Sequence, residues 1–172
     1  MTRWLDEHEQ RAWRGLLRMT SRLDARLNRE LQRTSGLSLA DYDVLVLLSE
    51  TEGGRMRVFE VVEALQWEQS RLSHHLARMQ RRGLVAREEC STDRRGAFVV
   101  LGEAGRDAIE RAAPAHVEVV RRLVFDGLTE QQVAALDVIA TTVLARLGPG
   151  RPGEGADTAG ALPAALSGGR AR

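Results

Sequence analysis

The sequence has no lysine. All 25 of its basic residues are arginine, set against 24 acidic residues, so the chain is nearly neutral overall. Arginine-only usage reflects genome composition more than function, although the guanidinium suits phosphates and guanine edges. Cysteine is almost as scarce. Cys90 stands alone, which excludes an intramolecular disulfide and a metal site built from cysteines. No apolar run approaches the length that spans a membrane, and the opening stretch MTRWLDEHEQRAWR has no signal-type apolar region. A cytoplasmic protein without a membrane partner is expected. Nor is there a nucleophile–base pair or a metal cluster. The four histidines are scattered apart from His74 and His75, whose adjacent positions on a helix point about 100° apart. An enzyme is therefore not expected, and no cofactor or metal is implied.

What is present is organised around residues 58–101, VFEVVEALQWEQSRLSHHLARMQRRGLVAREECSTDRRGAFVVL. Val58, Val61, Val62 and Leu65 form a short helical pattern. Four residues, 66 to 69, lead into a second run with Leu72, Leu76 and Met79 at helical spacing. Helix, tight turn, helix is the frame that sets a recognition helix in the major groove. Leu84, Val85, Phe98, Val99 and Val100 then flank an arginine-bearing turn, the signature of a hairpin. The fold class is mainly α with a small β-hairpin wing: a winged helix-turn-helix plus a helical dimerisation region.

The local charge points the same way. Residues 69–95 carry seven arginines against three acids, an excess placed on the element that would face phosphates. On the second helix, residues 69–82, Leu72, Leu76 and Met79 face the core, while Gln69, Ser70, Ser73, His74 and Arg78 point outward toward a groove. Arg71, His75, Arg81 and Arg82 lie toward the flanks, with both histidines facing solvent or DNA. Short polar residues at a helix N-terminus suit base edges and phosphates. Arg55 and Arg57, just before the first helix of the pair, are placed to touch the DNA backbone. Gly83 closes the recognition helix. The first wing strand covers 84–89 and the tip 90–96. An arginine at such a tip, Arg94 or Arg95, can enter a narrow minor groove, and Asp93, two residues before Arg95, can brace its guanidinium.

Around this core the chain is helical. Residues 4–33 carry Trp4, Leu5, Trp13, Leu16, Leu17, Leu23, Leu27 and Leu31 with no proline, a stripe long enough to need burial partly against another subunit. Gly36 ends it, Ser38 or Asp41 opens the next helix, and Thr51 to Gly54 turn the chain. Residues 103–125 form a fifth helix interrupted by Pro114, where a kink is expected, with Val117, Val120, Leu123 and Val124 as its apolar set. Thr129 and Gln132 start a last helix, whose Val133, Leu136, Ile139, Val143, Leu144 and Leu147 follow at helical spacing. The chain thus divides into an N-terminal dimerisation helix (1–36), a winged helix-turn-helix DNA-binding domain (37–101), C-terminal dimerisation helices (102–147) and a disordered Gly/Ala/Pro-rich tail (148–172).

On SRLSHHLARMQRRGLV followed by STDRRGAFVVL, the sequence resembles the MarR family of winged-helix transcriptional regulators over residues 4–147. The family's Asp-any-Arg signature at the wing tip falls on Asp93 and Arg95. The resemblance implies an obligate homodimer with interlocked terminal helices, binding double-stranded DNA at a palindromic operator. It also implies a repressor relieved by a small aromatic or phenolic ligand; Trp13 and Tyr42 are the candidate aromatic walls of that cleft. Two positions depart from the pattern. Glu68 replaces the serine common at the recognition-helix cap, and Gly102 the threonine common after the wing, which puts local stability there in question. The N-terminal cysteine of the peroxide-sensing branch is absent. Two alternatives stand beside this reading: a helical protein-interaction module without DNA binding, and a redox-responsive regulator acting through Cys90.

Overall fold

The structure is a computed structural model that describes residues 1–89 and 97–148. Cys90, Asp93, Arg94, Arg95 and the tail from 149 onward lie outside the described residues. In chain order come α1 (Glu7–Ser35), α2 (Leu39–Glu50), β1 (Arg55–Arg57), α3 (Val58–Leu65), α4 (Gln69–Arg81), β2 (Val85–Glu89), β3 (Ala97–Leu101), α5 (Glu103–Leu123) and α6 (Glu130–Leu147).

Capping residues set several of the boundaries. Asp6 accepts from the Glu9 N–H while Glu9 accepts from the Asp6 N–H, so α1 begins at Glu7, later than the apolar stripe suggests, and leaves Trp4 and Leu5 outside it. At its other end Gly36 adopts φ +68° and donates its N–H to the Gln32 carbonyl. Ser38 and Asp41 both open α2: the hydroxyl caps the Asp41 N–H and the carboxylate takes the Ser38 N–H. Thr129 and Gln132 form the same reciprocal pair at the start of α6. Gly83, at φ +72°, follows α4.

The core lies between α2, α3, α4, the sheet and the first half of α5. Val44, Leu45, Leu48, Val61, Leu72, Leu76, Met79 and Val99 are fully buried in it. Burying one such side chain stabilises the fold by about 1.5–3 kcal/mol. The hairpin expected from sequence gains a third strand. β1 pairs antiparallel with β3, Arg55 opposite Val100 and Arg57 opposite Phe98, and the strand order is β1-β3-β2.

Gly102 and Gly105 explain how the wing is joined to α5. The Gly102 N–H donates to the Leu84 carbonyl. A Cβ at Gly102 would overlap the Gly83 carbonyl oxygen, and one at Gly105 the Leu84 carbonyl oxygen. Both positions let backbone meet backbone. Gly102 therefore answers a steric demand, although as the N-cap of α5 it supplies no side-chain bond.

α5 runs through Pro114 as one helix, with the proline inside it. A proline withholds one N–H, and the buried Ala112, His116, Val119 and Val120 on either side anchor the helix regardless. Its buried face differs from the expected one, since Leu123 is exposed. Val119 and Val120 pack with Leu27 of α1 in a second, smaller cluster. The remaining terminal helices are open. No residue of α6 is buried, and α1 exposes Trp13, Leu16, Leu17 and Met19. No helix among the described residues is long and apolar enough to cross a membrane.

Candidate nucleic-acid interface

α4 presents one polar face outward because its apolar residues return every three or four positions. Leu72, Leu76 and Met79 are buried, whereas Gln69, Ser70, Arg71, His74 and Arg78 are exposed and Ser73 half-buried. The six polar side chains singled out on this helix by sequence thus share one open surface. Glu68, at the N-cap, makes no side-chain bond to the helix, which leaves the first N–H groups of α4 without a capping side chain.

Arg71 stands over the Trp67 ring at 4.7 Å. Trp67 closes the turn between α3 and α4, and is buried. A cation over an indole face is held by the ring quadrupole, so Arg71 is fixed near the N-terminal half of α4. Arg55 and Arg57 occupy β1 and lie against Phe98 of β3, their guanidiniums 4.1 and 5.0 Å from its ring centre. Arg55 also lies 3.5 Å from Glu88. The third strand therefore carries these two arginines to the wing. The sequence pattern places them only ahead of α3.

His75 is a correction. The sequence pattern sets it on the flank of α4, facing solvent or DNA, and it is buried at 6 % exposure. Its ring meets Trp67 edge-on at 5.3 Å, its Nδ1 lies 3.0 Å from Arg78 Nη2, and its Nε2 lies 3.1 Å from Asp41 Oδ1. That last approach is oblique and falls short of a well-aligned hydrogen bond. Arg82, also expected on the flank, has a more definite place. Its guanidinium donates to Asp41 Oδ2 at 2.7 Å and to the Gly36 carbonyl at 2.9 Å.

Asp41 is thus the hub that fastens α4 to the start of α2. Burial opposes its ionisation, but His75, Ser38 and Arg82 outweigh burial and hold its pKa well below the usual carboxylate range. In the sequence Asp41 is visible only as a possible helix opener. A buried carboxylate paired with groups far along the chain leaves no local pattern to read.

The two candidate ligand walls lie in different surroundings. Tyr42 is buried against His116 of α5, ring centres 4.3 Å apart. Burial, with help from the charges of Asp43 and Glu50, pushes its phenol up to about 12. Burial likewise lowers the pKa of His116, favouring the neutral ring. Trp13 is on the open half of α1, with about half its surface exposed. Beside Tyr42, Asp43 is raised to about 7 by burial and by the charge of Asp24, against the opposing effect of Arg71. No group of three or more His, Cys, Asp or Glu residues among the described residues is placed to hold a metal ion.

A helix-turn-helix with an arginine-lined three-stranded wing defines the class: a winged-helix DNA-binding protein. Comparison with known proteins narrows it. A sequence profile of the MarR family matches residues 35–96. The chain is 39% identical to Sco3205, a MarR family transcriptional regulator from Streptomyces coelicolor solved in complex with DNA; the match covers 87% of this chain and 93% of that one, with a TM-score of 0.82. AbsC, a MarR family regulator from the same organism, is 42% identical over 85% of this chain and 98% of its own, with a TM-score of 0.79. At 22% identity and a TM-score of 0.71, a mutant MarR from E. coli complexed with operator DNA shares the fold, over 81% of this chain and 99% of its own. None of the curated proteins matches the sequence significantly. The chain belongs to the MarR family of transcriptional regulators.

Proposed function

We propose that the protein acts as a homodimer that binds a pseudo-palindromic duplex, with α4 of each copy in the major groove. One observation carries this reading: apart from the small Ala77, the exposed face of α4 is polar from Gln69 to Arg78, opposite a fully buried apolar stripe. Gln69, Ser70, Ser73 and His74 then read base edges, while Arg71 and Arg78 meet bases or phosphates. Arg55 and Arg57, carried on the wing sheet, contact the backbone. Arg94 and Arg95 enter the minor groove, Arg95 braced by Asp93. That Sco3205, 39% identical, was solved with DNA supports the assignment.

Dimerisation is supported by the apolar residues the single chain leaves uncovered. Trp13, Leu16, Leu17, Leu136, Ile139, Val143, Leu144 and Leu147 are all exposed, and large apolar side chains gathered on terminal helices mark a surface that a partner covers. Residues 1–36 and 102–147 form the dimer region and residues 37–101 the DNA-binding domain. Two-fold symmetry sets the recognition helices about 34 Å apart, one duplex turn. Such a regulator works in the cytoplasm, where it represses transcription until a small aromatic molecule, held near Trp13 and Tyr42, favours a dimer with misplaced recognition helices.

The test titrates the protein against a duplex selected from a random pool and a scrambled duplex, each at two salt concentrations. The selected duplex should bind at least about a thousandfold tighter, with both affinities falling as salt rises. Failure to bind either duplex at either salt concentration would instead favour a helical protein-interaction module. Quenching of tryptophan fluorescence by a phenolic acid, absent in Trp13→Phe and coupled to loss of the selected duplex, tests the ligand; no change in fluorescence or affinity removes Trp13 and Tyr42 from that role.

A further inference from the structure

Of the polar residues of α4, His75 alone is buried. The chemistry of its neighbours fixes its protonation pattern. A guanidinium only donates, so at 3.0 Å from Arg78 Nη2 the ring Nδ1 must be a bare acceptor. The ring proton of the neutral imidazole therefore sits on Nε2, on the side of Asp41 Oδ1 at 3.1 Å. Asp41 in turn cannot move freely. Its Oδ2 accepts from the Ser38 N–H at 2.9 Å and from Arg82 Nη1 at 2.7 Å, and Arg82 Nη2 is anchored on the Gly36 carbonyl. A line of polar contacts runs from the junction of α1 and α2, through Asp41 and His75, to an arginine on the exposed face of α4. The edge-on contact with the Trp67 indole holds the imidazole plane against rotation.

We propose that His75 is a positioning residue for DNA recognition, holding the Arg78 guanidinium in its binding pose while the edge-on Trp67 indole fixes the ring. The proposal rests on the reading that the exposed face of α4 meets DNA. Its physical basis is preorganisation. A long, exposed arginine loses rotamer freedom when it docks, and one already held has less to lose. Only one of the five Arg78 donors is engaged by the His75 ring, so the guanidinium retains the means to donate to a phosphate or a guanine. The helix geometry favours the arrangement, because residues 75 and 78 are neighbours at i, i+3.

The experiment is a double-mutant cycle read by fluorescence anisotropy, using a duplex selected from a random pool by the parent protein. His75→Phe keeps a ring against Trp67 and removes the acceptor; His75→Gln restores an acceptor. Arg78→Ala should weaken binding about tenfold and His75→Phe about fivefold. The double variant should bind no worse than Arg78→Ala alone, and His75→Gln should stay within about twofold of the parent. Multiplication of the two losses to about fiftyfold would overturn the proposal, as would parental affinity in His75→Phe. Parental affinity in Arg78→Ala would overturn the reading of Arg78 as a DNA contact and the proposal with it, whereas multiplicative losses leave that reading intact. A measurement on the unaltered protein stands independently of how the variants fold. Imidazole nitrogen NMR at mildly alkaline pH should show His75 protonated at Nε2, and a proton on Nδ1 would overturn the assignment.

Discussion

α4 and α6 carry much the same kind of apolar stripe and meet opposite fates. In α4, Leu72, Leu76 and Met79 are completely buried, whereas in α6 Leu136, Ile139, Val143, Leu144 and Leu147 are all exposed. The periodicity of a helix says that a face needs covering, and does not say by what. For α4 the cover comes from α2, α3 and the sheet within one chain. For α6 and the first half of α1 the single chain offers little, and a second copy is the proposed cover. The winged half is a closed core that presents the polar face proposed to meet DNA; the terminal helices are an open surface that would set the spacing between two such units.

The largest expected effect comes from spoiling the open surface. Ile139→Asp combined with Leu144→Asp should weaken dimerisation more than about a hundredfold, since each lost apolar contact is worth about 1.5–3 kcal/mol before the added charge. Light scattering at micromolar concentration should then give the mass of one chain, with the winged half still folded by circular dichroism. An unchanged mass would mean that α6 is not at the interface.

Next is the closed core. Gly105→Val should lower unfolding stability by about 3 kcal/mol, because the obstacle is the Leu84 carbonyl and backbone cannot step aside as a side chain can. The urea midpoint at fixed protein concentration reports it. A loss no larger than that of Gly15→Val, where a Cβ meets nothing within 4 Å, would show that the wing junction yields more than its geometry implies.

Smaller effects separate the residues proposed to read DNA from those proposed merely to hold it. Ser73→Ala or His74→Ala should cost about 1–3 kcal/mol on a selected duplex and little on a scrambled one. Arg57→Ala should cost a similar amount on both and reduce the salt slope by about one. Arg95→Ala should weaken binding strongly. Asp93→Ala should weaken it too, even though it removes a negative charge; tighter binding would overturn the bracing role.

The smallest is a pH effect at the edge of the closed core, on the half-buried Asp43. Asp43 has a folded pKa raised to about 7, by burial first and by Asp24 second, from an ordinary 3.8. The folded protein therefore holds a proton that the unfolded chain releases, and ionised Asp43 opposes folding at higher pH. Asp43→Asn should raise the melting temperature fully above a pH of about 7, and the gain should fade as pH falls toward about 4. A gain independent of pH would point to packing instead.

Much of this arrangement is legible in the chain because the signals are local. The stripe of α4, the caps at Ser38 and Thr129 and the stops at Gly36 and Gly83 each lie within one turn of what they control. β1 escapes because Arg55, Met56 and Arg57 are too short a run to show alternation, and become a strand only when β3 arrives beside them. His75 escapes for a related reason. A histidine beside another polar histidine reads as solvent-facing until Asp41, Arg78 and Trp67 are seen to surround it. The apparent defect at Gly102 likewise needs the path of the Gly83–Leu84 backbone to explain it.

The central claim is that two open surfaces meet so that two recognition helices read one duplex. Its most direct measurement is the mass of the complex formed with a selected duplex, by size-exclusion chromatography with light scattering at micromolar concentration. Two chains per duplex, with the free protein already at twice the chain mass, is the predicted result. One chain per duplex, or a free protein at the mass of a single chain, would contradict it.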